Sequence, residues 1–579
     1  MKLIIEGWRF LPFSYAIVNQ FQLLEFLQRP NIELFHREMP YLSDWTPKTG
    51  LLPKSAEDAI RNIPEPAAPQ SADATLRMHM PLDFSPSNST QTFVWGLTEY
   101  GVVRNELLAL MGVDDLGDVH RNSDATIVTS SQWSRQGFIN SGADGDRVLV
   151  VPIGVDTDIY KPLPKSQRTT LRQQWGLDDY FVFLHIGSMT DIKGIRPLLK
   201  AFARICDRYP HARLLLKGTE SIYVSQNRIQ SAMKAVLNDT EMARVAPRIA
   251  YIGKDLSFPE VARLYQIADA YVSPYLAEGY NMPVLEAMAC GVPTICTRGG
   301  STDDFTHPDF TLSIDSQRQT ITVNQQRRWI LNPNLNQLVD RMVEVIENPH
   351  IFAKVRQSAP EFVAQNLTWK HVIDRWLEVM GESENAESES AIAQTNLKLN
   401  LGCGATRLDG YINVDKFGDP DLRYDLETFP WPWLDNSVGE VLLIHVLEHL
   451  GQHPTTYFKI IQELYRICQP NATLKVIVPH HRHDNFHSDP THVRAITPLG
   501  LAMFSQRLNR QWIQSGFSCS TLGLNLNVNF ELIETKYKPS QHWFRLHPDP
   551  NWETKFLLQE SALYNNLIEE IHMVLRVIK

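Results

Sequence analysis

Two kinds of hydrophobic spacing alternate along the first 380 residues. Short apolar runs at 2–6, 125–130, 180–187, 249–253 and 270–274 have the length of buried strands. Strands are also predicted at 74–81, ending at His79, and at 92–96. Segments with apolar residues at every third or fourth place lie between them and predict helices. Residues 13–29 put Ile17, Val18, Phe21, Leu24 and Leu27 on one face, and 334–380 does the same with Leu338, Met342, Val345 and Ile346. Helices are also predicted within 197–218, ahead of a strand, and over 259–270. Unbroken apolar strands alternating with helices predict parallel sheets covered on both faces, an α/β class. Residues 47–89, rich in Pro, Ser and Ala, read as a long surface excursion around the strand at 74–81.

The pattern then stops. Residues 381–396 carry four Glu, no basic residue and almost nothing apolar, the composition of a self-repelling linker. It resumes with strands at 397–401 and up to Asp415, an apolar run at 441–450, and a helix followed by a strand across 463–479. The last part, 506–579, reads as mixed strands with a C-terminal helix at 557–578. The predicted organisation is 1–160 and 161–380 as two α/β lobes, 381–396 as linker, and 397–579 as a further α/β domain.

Composition narrows the function classes. Of 579 residues 43% are apolar and 21% charged, which are globular values, and the length allows three or four domains. A net charge of −10 gives no general attraction to nucleic acid or anionic membranes, so an anionic substrate needs local positive sites. Six scattered cysteines without a C-x-x-C pair read as reduced core thiols. With no secretory leader and no run of 18 apolar residues, a cytoplasmic enzyme without a membrane span is expected, peripheral membrane contact remaining open. The sequence leaves the oligomeric state unknown.

The most informative stretch is 278–291, E-G-Y-N-M-P-V-L-E-A-M-A-C-G. It follows the strand at 270–274. Pro283 suits the start of a helix over 284–290, which Gly291 and Pro293 stop. The backbone amides at 282–285 form an anion site at the positive end of the helix dipole. Glu278 and Glu286 flank it and are suited to accept hydrogen bonds from hydroxyls. Diphosphate at the amides and hydroxyls at the carboxylates is the chemistry of a sugar nucleotide.

These residues resemble the E-x7-E element of the retaining family 4 glycosyltransferases of the GT-B fold, two Rossmann-like domains facing a cleft. The resemblance implies Glu278 near the donor sugar and Glu286 on the ribose. Gly279, Tyr280, Asn281 and Met282 would form the donor loop, and Asn281, standing where the family has a second glycine, tolerates positive φ. Lys193, in S-M-T-D-I-K-G after the strand ending at Gly187, matches the lysine that the family aims at the donor diphosphate. Ser188 replaces the family's arginine. The family's active-site His after the second strand is not clearly present; Glu99 or His79 would contact the acceptor there. Ser14, Tyr15 and Asn19 are weaker candidates in the first strand–helix loop. Gly299 and Gly300 allow close approach to a ligand, and Asp303-Asp304 read as cap or turn residues rather than a metal site. A nucleotide-sugar donor (UDP- or GDP-sugar) and a glycan or other sugar-bearing acceptor are implied, with no nucleic acid and no metal.

The 397–579 module has its own logic. Gly402 and Gly404 in L-N-L-G-C-G allow a cofactor to approach the backbone, and Asp415, closing the next strand, and Asp425 are placed to accept from ribose hydroxyls. The order L-N-L-G-C-G, N-V-D, R-Y-D-L, H-V-L-E-H-L, then a strand ending in Pro resembles class I S-adenosylmethionine-dependent methyltransferases. Asn471-Ala472 stand where that family has Gly-Gly, and the short span from Gly404 to Asp415 leaves room only for a very short first helix. A nicotinamide-binding domain is the alternative, although the third glycine of its fingerprint is missing. Histidines crowd 480–492. His492 is suited to act as a general base on a sugar hydroxyl, while the loop offers metal geometries without fixing one. The overall reading is a glycosyltransferase fused to a methyltransferase. Its alternatives are a transferase with an inactive or docking module, and a non-catalytic nucleotide-sugar sensor.

Overall fold

The computed structural model describes residues 1–41, 45–348, 352–381, 396–429, 431–548 and 553–579. The chain divides into two compact units, Met1–Ser383 and Glu384–Lys579. The acidic stretch expected to be a linker lies, apart from its end residues, outside the described residues.

The first unit holds two parallel six-stranded sheets. In the first, β1 (Lys2–Gly7), β2 (Glu33–Glu38), β3 (Ala74–Met78), β4 (Gln91–Trp95), β5 (Thr126–Thr129) and β6 (Val148–Val150) run in the order β2-β1-β3-β4-β5-β6. In the second, β7 (Phe181–Ile186), β8 (Ala212–Lys217), β9 (Ile249–Ile252), β10 (Ala270–Ser273), β11 (Thr294–Thr297) and β12 (Thr311–Ile314) run β12-β11-β10-β7-β8-β9. β10 is buried along its whole length, which is why it reads as an apolar run; β3 is equally buried but carries Arg77, paired with Glu6. The predicted helical stretch at 334–380 is three helices, Leu335–Glu347, Phe352–Asn366 and Trp369–Met380. The last returns to the first lobe. Trp369 stacks on Phe21 at 5.6 Å, Trp376 meets Phe93 edge-on, and Arg29 pairs with Asp374 at 2.7 Å.

Two features depart from the sequence reading of this unit. The excursion at 47–89 is not all surface: it contains the helix Lys54–Arg61, and Leu51, Leu52 and Ile60 enter the core. The backbone of Leu51 also accepts from Phe258 N across the lobes. Periodicity missed this because the segment is too short and too rich in proline to show a helical face. The second feature is a hairpin, β13 (Ser316–Val323) and β14 (Gln326–Pro333), which turns at Asn324-Gln325 with both φ angles positive. Its strands are largely polar, so alternation is faint. The hairpin leans on the first lobe: Trp329 N donates to Tyr100 O, Gln326 Nε2 to Val103 O, and Arg328 pairs with Glu106. Gly101 lies under Trp329, where a Cβ would fall 2.4 Å from the ring.

The second unit is one seven-stranded sheet, built from β15 (Leu397–Leu401), β16 (Ile412–Asp415), β17 (Leu422–Arg423), β18 (Val438–Ile444), β19 (Cys468–Pro479), β20 (Phe530–Pro539) and β21 (Ile568–Val577) in the order β17-β16-β15-β18-β19-β21-β20. All pairings are parallel except those of β21, which runs antiparallel to both neighbours. The C-terminal helix expected at 557–578 is instead a short helix, Thr554–Leu563, followed by β21. Ile568, Ile571, Met573, Leu575 and Val577 are buried between two strands, and this sheet pairing overrides the local helical preference. The very short helix allowed between β15 and β16 is also absent: residues 402–411 form turns, with Gly402, Gly404 and Gly410 all at positive φ.

Candidate functional site: a cleft between two lobes

In the first unit, the loops following β1, β4, β7, β8 and β10 line one cavity of about 1030 Å³. This is the carboxyl edge of the strands, where open parallel sheets bind ligands. The first lobe contributes Tyr15 and Glu99, and the second contributes Ser188, Lys193, Lys217, Glu278 and Glu286.

Lys193 is aimed by backbone geometry. After β7, the chain passes Gly187 and Ser188 into a 3-10 turn, Asp191–Lys193, which ends on Gly194 at φ +80°. A Cβ on Gly194 would lie 2.0 Å from Pro274 O, so only glycine permits this approach to the end of β10. The turn brings Lys193 Nζ to 2.7 Å from Glu278 Oε2 and 3.5 Å from Glu99 Oε1. Burial alone would lower the lysine pKa, but the Glu278 and Glu99 carboxylates outweigh it and hold the ammonium charged. Burial raises the Glu278 carboxyl above its ordinary range despite the Lys193 charge beside it.

Glu286 lies one helix turn into Met282–Ala289 and accepts a hydrogen bond from Tyr265 OH at 2.7 Å. Burial pushes its pKa up to about 7, with the hydroxyls of Tyr265 and Tyr160 opposing. Glu278, Glu286, Gly279, Tyr280, Asn281 and Met282 all line the cavity, as do Gly187, Ser188, Lys193 and Glu99. Asn281 adopts φ +80°, as an asparagine at a glycine-like position can, and its side-chain amide donates to Ser273 Oγ at 3.0 Å. The helix-start anion site is narrower than the sequence suggests. Pro283 has no N–H, and Val284 N donates to the Asn281 carbonyl at 3.1 Å.

Lys217, Arg196 and Arg228 line the same cavity and were not singled out in the sequence. Burial pulls the Lys217 pKa down to about 8. The signal for it was an apolar strand, L-L-L-K-G, that closes on a lysine at its carboxyl end. His79 is not among the cavity-lining residues; it is buried behind the end of β3, and burial lowers its pKa. Ser14 and Tyr15 line the cavity, whereas Asn19 is fully buried and donates to Trp8 O at 2.9 Å. The Asp303 carboxylate accepts from Gly299 N within the turn, and that of Asp304 accepts from Gln132 N of the first lobe.

In the second unit, Gly402, Gly404 and Asp415 come together. Gly404 N donates to Asp415 Oδ2 at 2.8 Å, and Phe417 N to its other oxygen at 2.9 Å. A Cβ on Gly402 would meet Val446 at 2.5 Å, whereas above Gly404 the space is open. Asp425 stands 3.7 Å from Lys416 Nζ. His492 Nδ1 donates to Phe486 O at 2.7 Å; a carbonyl only accepts, so Nδ1 carries the proton. Its ring lies 4.5 Å from that of His449.

Residues 180–348 match the family described as glycosyl transferases group 1. Over 177 residues the chain is 32% identical to the D-inositol 3-phosphate glycosyltransferase of Pseudarthrobacter chlorophenolicus, a match spanning 30% of this chain and 39% of that one. It is 25% identical over 196 residues to a GDP-mannose-dependent alpha-(1-6)-phosphatidylinositol dimannoside mannosyltransferase of Mycobacterium tuberculosis, covering 34% of this chain and 47% of the relative. The aligned part of the chain therefore spans less than half the length of either. Among solved structures, Anabaena Alr3699/HepE in complex with UDP and glucose superposes with a TM-score of 0.50 at 14% identity, covering 66% of this chain and 99% of that one. The first unit thus has the two-lobed GT-B fold, and residues 180–348 of its second lobe are similar to the group 1 glycosyl transferases.

Proposed function

We propose that the first unit transfers a sugar, with retention of anomeric configuration, from a UDP- or GDP-sugar to a hydroxyl of a glycan or other sugar-bearing acceptor. The observation that carries this is the convergence of Lys193, Glu278, Glu99 and Glu286 on one cavity, with Lys217 and Arg228 beside them. Diphosphate entering the cleft is stabilised by Lys193 and the other cations, most strongly as charge develops on the leaving group. Glu278, beside the lysine, is placed to meet the sugar hydroxyls, and Glu286 to accept from the ribose. Glu99, on the opposite lobe, is placed for the acceptor. The relatives named for inositol-phosphate and phosphatidylinositol mannoside acceptors support a polyol or sugar acceptor. The test is calorimetry against a panel of UDP-, GDP- and ADP-sugars followed by donor hydrolysis. Binding without turnover would leave a nucleotide-sugar sensor, and no binding would remove the proposal.

For the second unit we infer a class I methyltransferase-like domain acting on a sugar hydroxyl. What supports it is the strand order with one antiparallel strand inserted next to the edge, and Gly402, Gly404 and Asp415 meeting beyond the ends of β15 and β16. Those residues fit S-adenosylmethionine: the open space above Gly404 admits it, and Asp415 and Asp425 would hold its ribose. S-adenosylmethionine would supply the methyl group. The same calorimetry with S-adenosylmethionine tests this, and its absence would leave a docking module.

A further inference from the structure

A separate cluster in the second unit has the make-up of a metal centre. Glu448 and His449 lie on a 3-10 turn, Leu447–His449, just beyond the end of β18, and His492 lies in the segment that follows β19. One ligand atom from each can be chosen so that all lie within 4.8 Å of one another. The adjacent carboxyl ends of two parallel strands are where such sheets hold ligands.

Three further observations point to a cation. Glu448 is 1% exposed, and among the described residues neither of its oxygens accepts a hydrogen bond. His445 Nδ1 pairs with Oε1 at 3.5 Å, and no ion-pair partner is found for Oε2 among the described residues. A buried carboxylate oxygen without a donor is costly unless a positive charge compensates it. The His492 Nδ1 proton is committed to the Phe486 carbonyl, which fixes the tautomer and puts the lone pair on Nε2, with Asp489 Oδ2 4.0 Å from it. This is the outer-shell arrangement typical of metal-bound imidazoles. His492 is held face-on by Phe486 at 5.2 Å, and His449 is steadied by Thr491 Oγ1 at 2.9 Å.

We propose that Glu448, His449 and His492 bind a late first-row divalent cation, with zinc as the probe of choice. Two imidazoles and one carboxylate suit such ions and leave a position open for water or a hydroxyl oxygen. Ligands about 2 Å from a common ion lie roughly 3–4 Å apart, so small rotations of the two imidazoles close the site. The site stands independently of the sugar-transfer reading. It also replaces the general-base role of His492, since one lone pair cannot both bind a metal and take a proton.

The test uses the full-length protein without a histidine tag, stripped with chelator and dialysed against ZnCl2. Elemental analysis should find about one zinc per chain. His449→Ala and His492→Ala should each weaken binding by more than about 100-fold, beyond the 10- to 100-fold typical of outer-shell changes, while His487→Ala in the same loop should not. Glu448→Gln, which keeps the shape of the side chain, should weaken it as well. Co2+ substituted for zinc should give visible d–d bands that are lost in the same variants. The proposal is overturned if the wild-type protein retains no zinc, or if His487→Ala loses as much as His492→Ala. It is equally overturned if the cobalt bands persist without His449 and His492.

Discussion

Replacing Lys193 by alanine separates two roles that the structure gives one side chain. Lys193 neutralises Glu278, a residue 8% exposed whose carboxylate is 2.7 Å away. Removing one partner of such a buried pair leaves an uncompensated charge and costs about 3–5 kcal/mol. The unit spans residues 1–383, and at ~2.1 cal/mol/K per residue its unfolding entropy is about 0.8 kcal/mol/K. Its melting transition should therefore fall by about 4–6 °C. The loss of diphosphate stabilisation should separately lower kcat/KM for donor hydrolysis by roughly 30- to 1000-fold, equivalent to about 2–4 kcal/mol. The double variant Lys193→Ala/Glu278→Gln distinguishes the two. A neutral carboxamide needs no cation, so calorimetric scanning should show most of the stability regained while hydrolysis stays low. The reasoning fails if Lys193→Ala melts within about 1 °C of wild type and keeps kcat/KM within about threefold.

Glu286 predicts a pH dependence. Its folded pKa, about 7, lies above the ordinary 4.5, so its proton is held in the folded unit and released on unfolding. That stabilisation is complete below about 4.5 and lost as the pH rises through about 7, an effect of about 3 kcal/mol that Glu286→Gln should abolish in pH-dependent melting. Donor affinity should move the other way, tightening by up to tenfold per pH unit up to about 7 as the carboxylate ionises to accept ribose hydroxyls. A flat titration by calorimetry would argue against that contact. Asn281→Gly keeps the positive φ and loses only the bond to Ser273, so about 1 kcal/mol of stability should go, with donor affinity unchanged; a large loss of affinity would mean that its side chain touches the donor. Gly194→Ala puts a Cβ 2.0 Å from Pro274 O and should cost several kcal/mol, with Lys193 displaced and hydrolysis falling together with stability. Normal activity in a folded Gly194→Ala protein would refute the account of how the lysine is aimed.

The sequence by itself determined the architecture of the first unit and the central part of its cleft. Parallel strands buried along all or most of their length, such as β10 and β7, read as apolar runs, and glycine and proline mark where their loops begin, so Glu278, Glu286 and Lys193 could be placed from local signals. The tertiary structure decided the rest, because those features depend on partners far apart in the chain. The β13–β14 hairpin has too little apolar alternation to show itself and is held by Tyr100, Val103 and Glu106 of the other lobe. The segment at 568–577 becomes a strand only because β19 and β20 flank it. Which cations face the cavity, and that Val284 N is already engaged, follow from side-chain and backbone geometry that periodicity does not carry. The meeting of His449 with His492, separated by two helices and a strand in sequence, is a property of adjacent strand ends. Residue spacing encodes what a segment does within its own few turns; a charge, a donor or a ligand set assembled across the sheet exists only once the chain has folded.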